Sequence, residues 1–318
     1  MATATTTKPS FLSRAKAPES LPPRIVLYGV EGVGKSTFGA SAPNPIFLSA
    51  EDGIRHLPNV IAFPKPNDLA EVFEMFRELT LPGHDRKTLV VDTVDWLDPF
   101  VIRSVCERNK WRDSEGNPDI EAPGYGKGYQ PYVEEWRKVL SALDRVRESG
   151  IEVILLGHSK VTTFQNPAGS DYARYELAMH QRSASVIKQW PDFLLFANYD
   201  DFTVVQHGKG SEILRKGKGL STGDRVLHTT HHAAWDAKAR GSFPATIPLD
   251  YAAFTEARLD QGKSRVAGLS AEFDAKLLEL NPAEPMKAKI LERVGDRKDV
   301  GLLERMINWL NGEIAKKG

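Results

Sequence analysis

Gly29-Val30-Glu31-Gly32-Val33-Gly34-Lys35-Ser36-Thr37 satisfies the pattern G-x-x-x-x-G-K-[ST] in full, directly after the β-forming run Arg24-Ile25-Val26-Leu27-Tyr28. A strand that runs into a glycine-rich turn and then a helix constrains the fold strongly. Without side chains in the way, backbone N–H groups converge on phosphate oxygens. At these positions Lys35 reaches the β- and γ-phosphates, and Ser36 offers its hydroxyl to Mg²⁺. The competing reading, an ordinary glycine-rich turn, does not require the Lys-Ser pair. The motif therefore predicts a nucleoside triphosphate site, with ATP and Mg²⁺ as ligands. It does not say what the hydrolysis drives.

Apolar runs alternate with helical patterns from residue 23 to about 258, which calls for an α/β core with a mainly parallel sheet. The expected strands are 24–28, 46–50, 88–92, 151–156 and 193–199. Short strands near 202–206, 212–215 and 225–230 predict antiparallel hairpins at the sheet edge. Asp68 caps a helix, with Glu71 three residues on. Residues 94–110 and 131–148 read as helices. Residues 113–130 and 159–181 read as loops. Residues 1–22 read as a disordered arm ended by Pro22-Pro23. From 266 to 318 the pattern is helical, joined through Gln261-Gly262-Lys263. Leu277, Leu278, Ile290, Leu291, Val294 and Trp309 are among its expected core residues.

Lys and Arg total 42 and Asp and Glu total 42, so the chain has no overall attraction for nucleic acid or membrane. Cys106 is the only cysteine, which excludes an intrachain disulfide and suggests a reducing, cytoplasmic setting. No apolar run approaches the ~18 residues of a membrane span. His228, His231 and His232 read as a strand-end cluster, because no convincing ligand spacing accompanies them.

Asp92 ends the apolar run Thr88–Asp92, where a carboxylate shares the Mg²⁺ shell with Ser36. Thr93 follows it, whereas AAA+ machines place their water-activating Glu there. Glu51, after the second strand, is the substitute, since neighbouring parallel strands end at one edge. In order, GVEGVGKST, FLSAEDG, TLVVDTVDWL and VILLGHSK resemble the RecA-like recombinase core. GYGKGY at 124–129, RYELAMHQRSASVIKQWPDFLLFANYDD at 174–201 and WDAKARGSFP at 235–244 are similar to phage-encoded short RecA-like ATPases of the single-strand annealing type.

The resemblance implies that Glu51 polarises the attacking water. His158, with Ser159 as the alternative, would sense the γ-phosphate. Lys238 and Arg240 would reach the ATP site of a neighbouring subunit in a ring or filament. Single-stranded DNA would contact Tyr125, Lys127 and Tyr129 in one loop and Lys160, Phe164 and Arg174 in another. Aromatic faces stack bases and cations meet phosphates, although glycine-rich loops with tyrosines also form plain turns. A single-strand DNA-binding protein is a further expected partner. The rival readings are a helicase or helicase-loader motor and a nucleotide-switched binding module.

Overall fold

The computed structural model describes residues 21–49, 54, 56–58, 60–167, 169–205, 217–241, 243–295 and 300–317. Residues 1–20 of the expected N-terminal arm, Glu51 and the expected strand at 212–215 lie outside them.

Strand β1 (Arg24–Gly29) runs through the middle of the sheet. It pairs in parallel with β5 (Glu152–Phe164) on one side and β7 (Phe193–Val205) on the other. Beyond β5 follow β4 (Thr88–Asp92), β2 (Pro45–Ser49) and β3 (Ile61–Ala62), all parallel. Antiparallel β8 (Gly217–His228) and β10 (Thr246–Pro248) extend the sheet beyond β7. The two residues of β9 (Lys238–Ala239) pair with the first residues of β7. The phosphate-loop strand β1 is thus separated from the Asp92 strand β4 by one strand, β5.

Successive residues of β1 point to opposite faces. Val26 and Tyr28 enter one core with α2 (Leu69–Leu79), α3 (Val94–Asn109), α4 (Tyr129–Glu148) and α5 (Gln181–Gln189). Ile25 and Leu27 enter the other with α1 (Lys35–Ala40) and the start of α6 (Tyr251–Leu280). Both faces are covered, which explains why β4 and the first half of β5 are buried throughout, with apolar residues between their polar ends. Asp68 caps α2 by accepting from Glu71 N at 3.0 Å. The Glu71 carboxylate reaches back to Asn67 N at 2.8 Å, one residue earlier than in the usual capping box.

Several expectations are corrected. The second strand is described from Pro45 to Ser49, and its expected last residue, Ala50, lies outside the described residues. Residues 159–181 are not a loop: β5 continues past the sheet and forms a hairpin with β6 (Tyr172–Leu177), in register from Ser159↔Leu177 to Phe164↔Tyr172. Strand β7 continues to Val205 through an irregularity between Tyr199 and Asp201. Helix α4 starts at Tyr129, because Pro131 is tolerated in a first turn.

The chain divides into two compact units. One is Leu21–Arg258, and the C-terminal residues Leu259–Gly318 belong to the other. Gln261-Gly262-Lys263 is not a break, because α6 is helical through it. The C-terminal unit continues with α7 (Glu284–Val294) and α8 (Val300–Lys317). Its core gathers Phe273, Leu277, Ile290, Val294, Leu303 and Leu310, among others. Leu278 is 80% exposed, and Leu291 and Trp309 are more than a third exposed, so these three leave the expected core.

One polar knot ties the first unit together. Asp236 forms ion pairs with buried Arg174 on β6 and with Lys188 on α5, the latter at 2.7 Å. The Asp236 backbone exchanges hydrogen bonds with the Tyr28 hydroxyl: Tyr28 donates to the carbonyl at 2.7 Å and accepts from the amide at 3.0 Å. Burial pushes the Asp236 carboxyl up, but Lys188 and Arg174 outweigh it and hold it below the usual carboxylate range.

Asp236→Ala is expected to cost about 3–5 kcal/mol, because it leaves Arg174 buried without its counter-charge. Urea unfolding of the two proteins measures this. A carboxyl whose pKa is lowered by folding contributes its full stability above its unfolded pKa and loses it as pH falls through the folded value. The gap between wild type and Asp236→Ala is therefore constant near neutrality and shrinks only in acid.

Candidate functional site

The site gathers where β1, β4 and β2 end and β5 leaves the sheet. Their register sets Gly29 beside His158 and Asp92 beside Ser49. Gly29 is required by close packing, since an added Cβ would lie 2.1 Å from the Ala197 carbonyl oxygen on β7. The loop then turns, with Val33 buried, Glu31, Gly32 and Thr37 exposed, and Val30 and Gly34 partly so. Lys35 is buried, and its ammonium donates to the carbonyls of Gly29 at 3.1 Å and Val30 at 2.9 Å. The cation is thus held over the loop that it closes.

Ser36 Oγ donates to Asp92 Oδ2 at 2.7 Å. The two residues come from elements on either side of β5, and α1 must lean across that strand to join them. Gly39 permits this approach, since a Cβ there would meet Val90 Cγ1 of β4 at 2.8 Å. Phe38 packs edge-on against Tyr251 and Phe254 on the same face. A hydroxyl and a carboxylate beside a phosphate loop are hard oxygen donors that fit Mg²⁺, an ion that keeps most of its waters and takes few protein ligands. Among the described residues there is no cluster of three or more His, Cys, Asp or Glu able to hold a metal.

Thr93 caps α3, its hydroxyl accepting from Trp96 N at 3.4 Å. The position after Asp92 therefore serves the helix start. Asp95, in the first turn of α3, clamps His158: Oδ1 accepts the His158 backbone N–H at 3.0 Å, and Oδ2 lies 2.7 Å from Nδ1. Burial pushes the Asp95 carboxyl up, yet the bonds to His158 leave it lowered.

Sequence reasoning missed Asp95, although an acidic residue in a first helical turn just after Asp92 is a visible signal. It also missed two residues of the edge strands. Arg225 on β8 lies against the loop, with Nη1 3.1 Å from where a Gly34 Cβ would stand. The Tyr199 hydroxyl on β7 donates to Gly32 O at 3.3 Å. Nothing in their local sequence marks them, because the β7–β8 pairing brings them there.

Lys238 and Arg240 lie elsewhere. Lys238 on β9 pairs with Leu194 near the start of β7 and donates to Gln189 O at 3.1 Å. Arg240 pairs with Asp192 at 3.3 Å, a carboxylate that also holds Arg24 and Arg147. This is the edge where β1 begins, opposite the edge that carries its phosphate loop.

The six residues expected to contact DNA divide. Tyr125 is fully exposed between Gly124 and Gly126, and Lys127 is exposed beside it. Tyr129 stacks on His180 with centroids 4.2 Å apart, and the Arg182 guanidinium lies over the Tyr129 ring, 4.9 Å from its centroid. Its hydroxyl donates to Glu121 at 2.5 Å. Lys160 is exposed, although its ammonium donates to Met179 O at 2.7 Å. Phe164 packs on Tyr172 at 5.2 Å and under Arg174 at 5.4 Å. Arg174 is buried and paired with Asp236, so its charge serves the fold.

A family model described as an AAA domain matches residues 21–241. The SPbeta prophage-derived uncharacterized protein YorG of Bacillus subtilis (strain 168) is 26% identical over 140 residues. That similarity covers 42% of this chain and 40% of YorG, so it spans less than half of either protein. Among the described residues no helix is long and apolar enough to cross a membrane.

Proposed function

This chain belongs to the AAA-domain family of P-loop ATPases, and on that premise we propose that it is a RecA-like ATPase acting on single-stranded DNA in phage recombination or annealing. The observation that carries the DNA reading is Tyr125. A tyrosine held fully exposed at a glycine-flanked loop tip, with exposed Lys127 two residues on, offers an aromatic face for a base and a cation for its phosphate. The neighbouring Tyr129–His180–Arg182 stack supports the same surface from behind.

The chemistry follows from the residues at the sheet edge. The amides of Gly29 to Ser36 cradle phosphate oxygens, and Lys35 exchanges its loop carbonyls for the β- and γ-phosphates. Ser36 and Asp92 hold the magnesium of Mg·ATP, which supplies charge neutralisation on the phosphate oxygens. Glu51 orients the water for in-line attack. His158, fixed by Asp95, reports loss of the γ-phosphate to the strand it sits on. Lys238 and Arg240 act in trans, a role taken from the resemblance; within one chain they stand at the edge away from the loop, on Gln189 O and Asp192. That requires a homo-oligomer, ring or filament. A single-strand DNA-binding protein is the expected partner on the same DNA.

Two sets of measurements test this reading. In ATPase assays, Glu51→Gln is expected to bind ATP and lose most turnover, while normal turnover would remove Glu51 from the chemistry. Lys238→Ala and Lys35→Ala are each expected to be inactive alone and to regain activity when mixed, since one brings intact pockets and the other intact cations. Cross-linked mixtures that stay inactive would contradict action in trans. For DNA, Tyr125→Ala with Lys127→Ala is expected to weaken single-strand affinity about tenfold or more. The log–log salt slope should fall by roughly 0.7, for one lost phosphate contact. Unchanged affinity and slope would remove this loop from the DNA surface.

A further inference from the structure

The last two helices carry matched stripes. Met286, Lys289, Ile290 and Arg293 follow one another on α7 at spacings of i, i+3, i+4 and i+7. Leu302, Arg305, Met306 and Trp309 repeat that spacing on α8. The helical period places each set on one face, and the two faces line a single groove of about 350 Å³. Ile290 and Met306 are buried in its floor, while Met286 and Trp309 stand 41% and 38% exposed at its sides.

Among the described residues the charges of this groove have one sign: Lys289, Arg293 and Arg305 line it, and no carboxylate does. Three carboxylates of these helices are engaged elsewhere: Glu284 with Lys287, Glu304 with Arg265 and Glu313 with Lys316. Among the described residues, none of the three lining cations has an ion-pair partner. A ligand that fits must be both apolar and anionic.

We propose that this groove docks an acidic peptide segment of a partner protein. A large apolar side chain of the peptide sits among Met286, Ile290, Met306 and Trp309, and its carboxylates meet Lys289, Arg293 and Arg305. Methionine adapts to side chains of different shape, and Trp and Arg are the residues that most often carry docking energy. Three like charges around an apolar floor favour partners of opposite sign and repel the others. Nucleic acid would satisfy the cations but not the floor, which offers one aromatic ring amid aliphatic and thioether groups, where bases need flat faces to stack.

The test uses the full-length protein and fluorescence anisotropy. The probe is a fluorescein-labelled synthetic peptide of Asp and Glu with a Leu and a Phe one helical turn apart. Saturable binding that weakens as salt rises is expected. Arg293→Glu with Arg305→Glu should weaken it at least about tenfold, as should Trp309→Ala. Lys316→Glu, outside the groove, should leave it unchanged. The same peptide with amides for carboxylates, or with Ser for Leu and Phe, should also bind at least about tenfold more weakly. Should the charge-reversed protein fail to fold by circular dichroism, Arg293→Gln with Arg305→Gln carries the same test. Equal binding of the amide peptide, or full affinity in a folded groove variant, overturns the proposal. So does a labelled oligothymidylate that displaces the peptide and loses affinity in the Arg293 and Arg305 variant, which would make the groove a nucleic-acid site. A changed oligomeric state of that variant by sedimentation would make it a self-contact and also overturn the proposal.

Discussion

The 2.7 Å hydrogen bond from Ser36 to Asp92 is the contact on which the arrangement of the site depends. It joins the first turn of α1 to the end of β4 across the intervening β5. It forms because Gly39 lets α1 settle onto Val90 and because parallel register ends β1, β4 and β2 at the edge where β5 leaves the sheet. Once those strands end together, Gly29, His158, Asp92 and Ser49 become neighbours. Hydroxyl and carboxylate then meet beside a glycine-rich loop whose carbonyls hold the Lys35 ammonium.

Behind that edge, Tyr28 connects the loop to the rest of the unit. It precedes Gly29, is buried between sheet and helices, and its hydroxyl is locked on the Asp236 backbone. The side chain of Asp236 in turn holds Arg174 of the β5–β6 hairpin and Lys188 of α5. The phosphate-loop strand, the hairpin that extends β5 beyond His158 and the segment leading to Lys238 are therefore fastened at one point. The opposite edge is organised separately, by Asp192 with Arg24, Arg147 and Arg240.

The phosphate loop, the Asp92 strand and the parallel core were legible in the sequence because each rests on local pattern. A glycine-rich loop follows a β-branched run, and buried strands are apolar without interruption. The hairpin at 159–177 was not read, because its alternation mixes Lys160, Thr162 and Arg174 with aromatic residues and so resembles a polar loop. Its Val161, Thr162 and Thr163 were the available strand signal. Arg174 looked like a surface cation because its partner Asp236 is 62 residues away. Asp95 was passed over for a similar reason, its partner His158 being 63 residues on. The helix through Gly262 continues where local propensity favoured a joint. In α8, Trp309 has core-like spacing but lines an open groove, a distinction that periodicity alone does not make.

The central claim is that this ATP site is coupled to single-stranded DNA. The most direct measurement is steady-state ATP hydrolysis by the purified protein with and without a long oligothymidylate, at one fixed salt concentration. The account predicts slow turnover alone and turnover raised at least about tenfold by the DNA, since cations supplied across an assembled interface accelerate such reactions by 10³ or more. Hydrolysis at the same rate with and without DNA, under conditions where the DNA is shown to be bound, would contradict it.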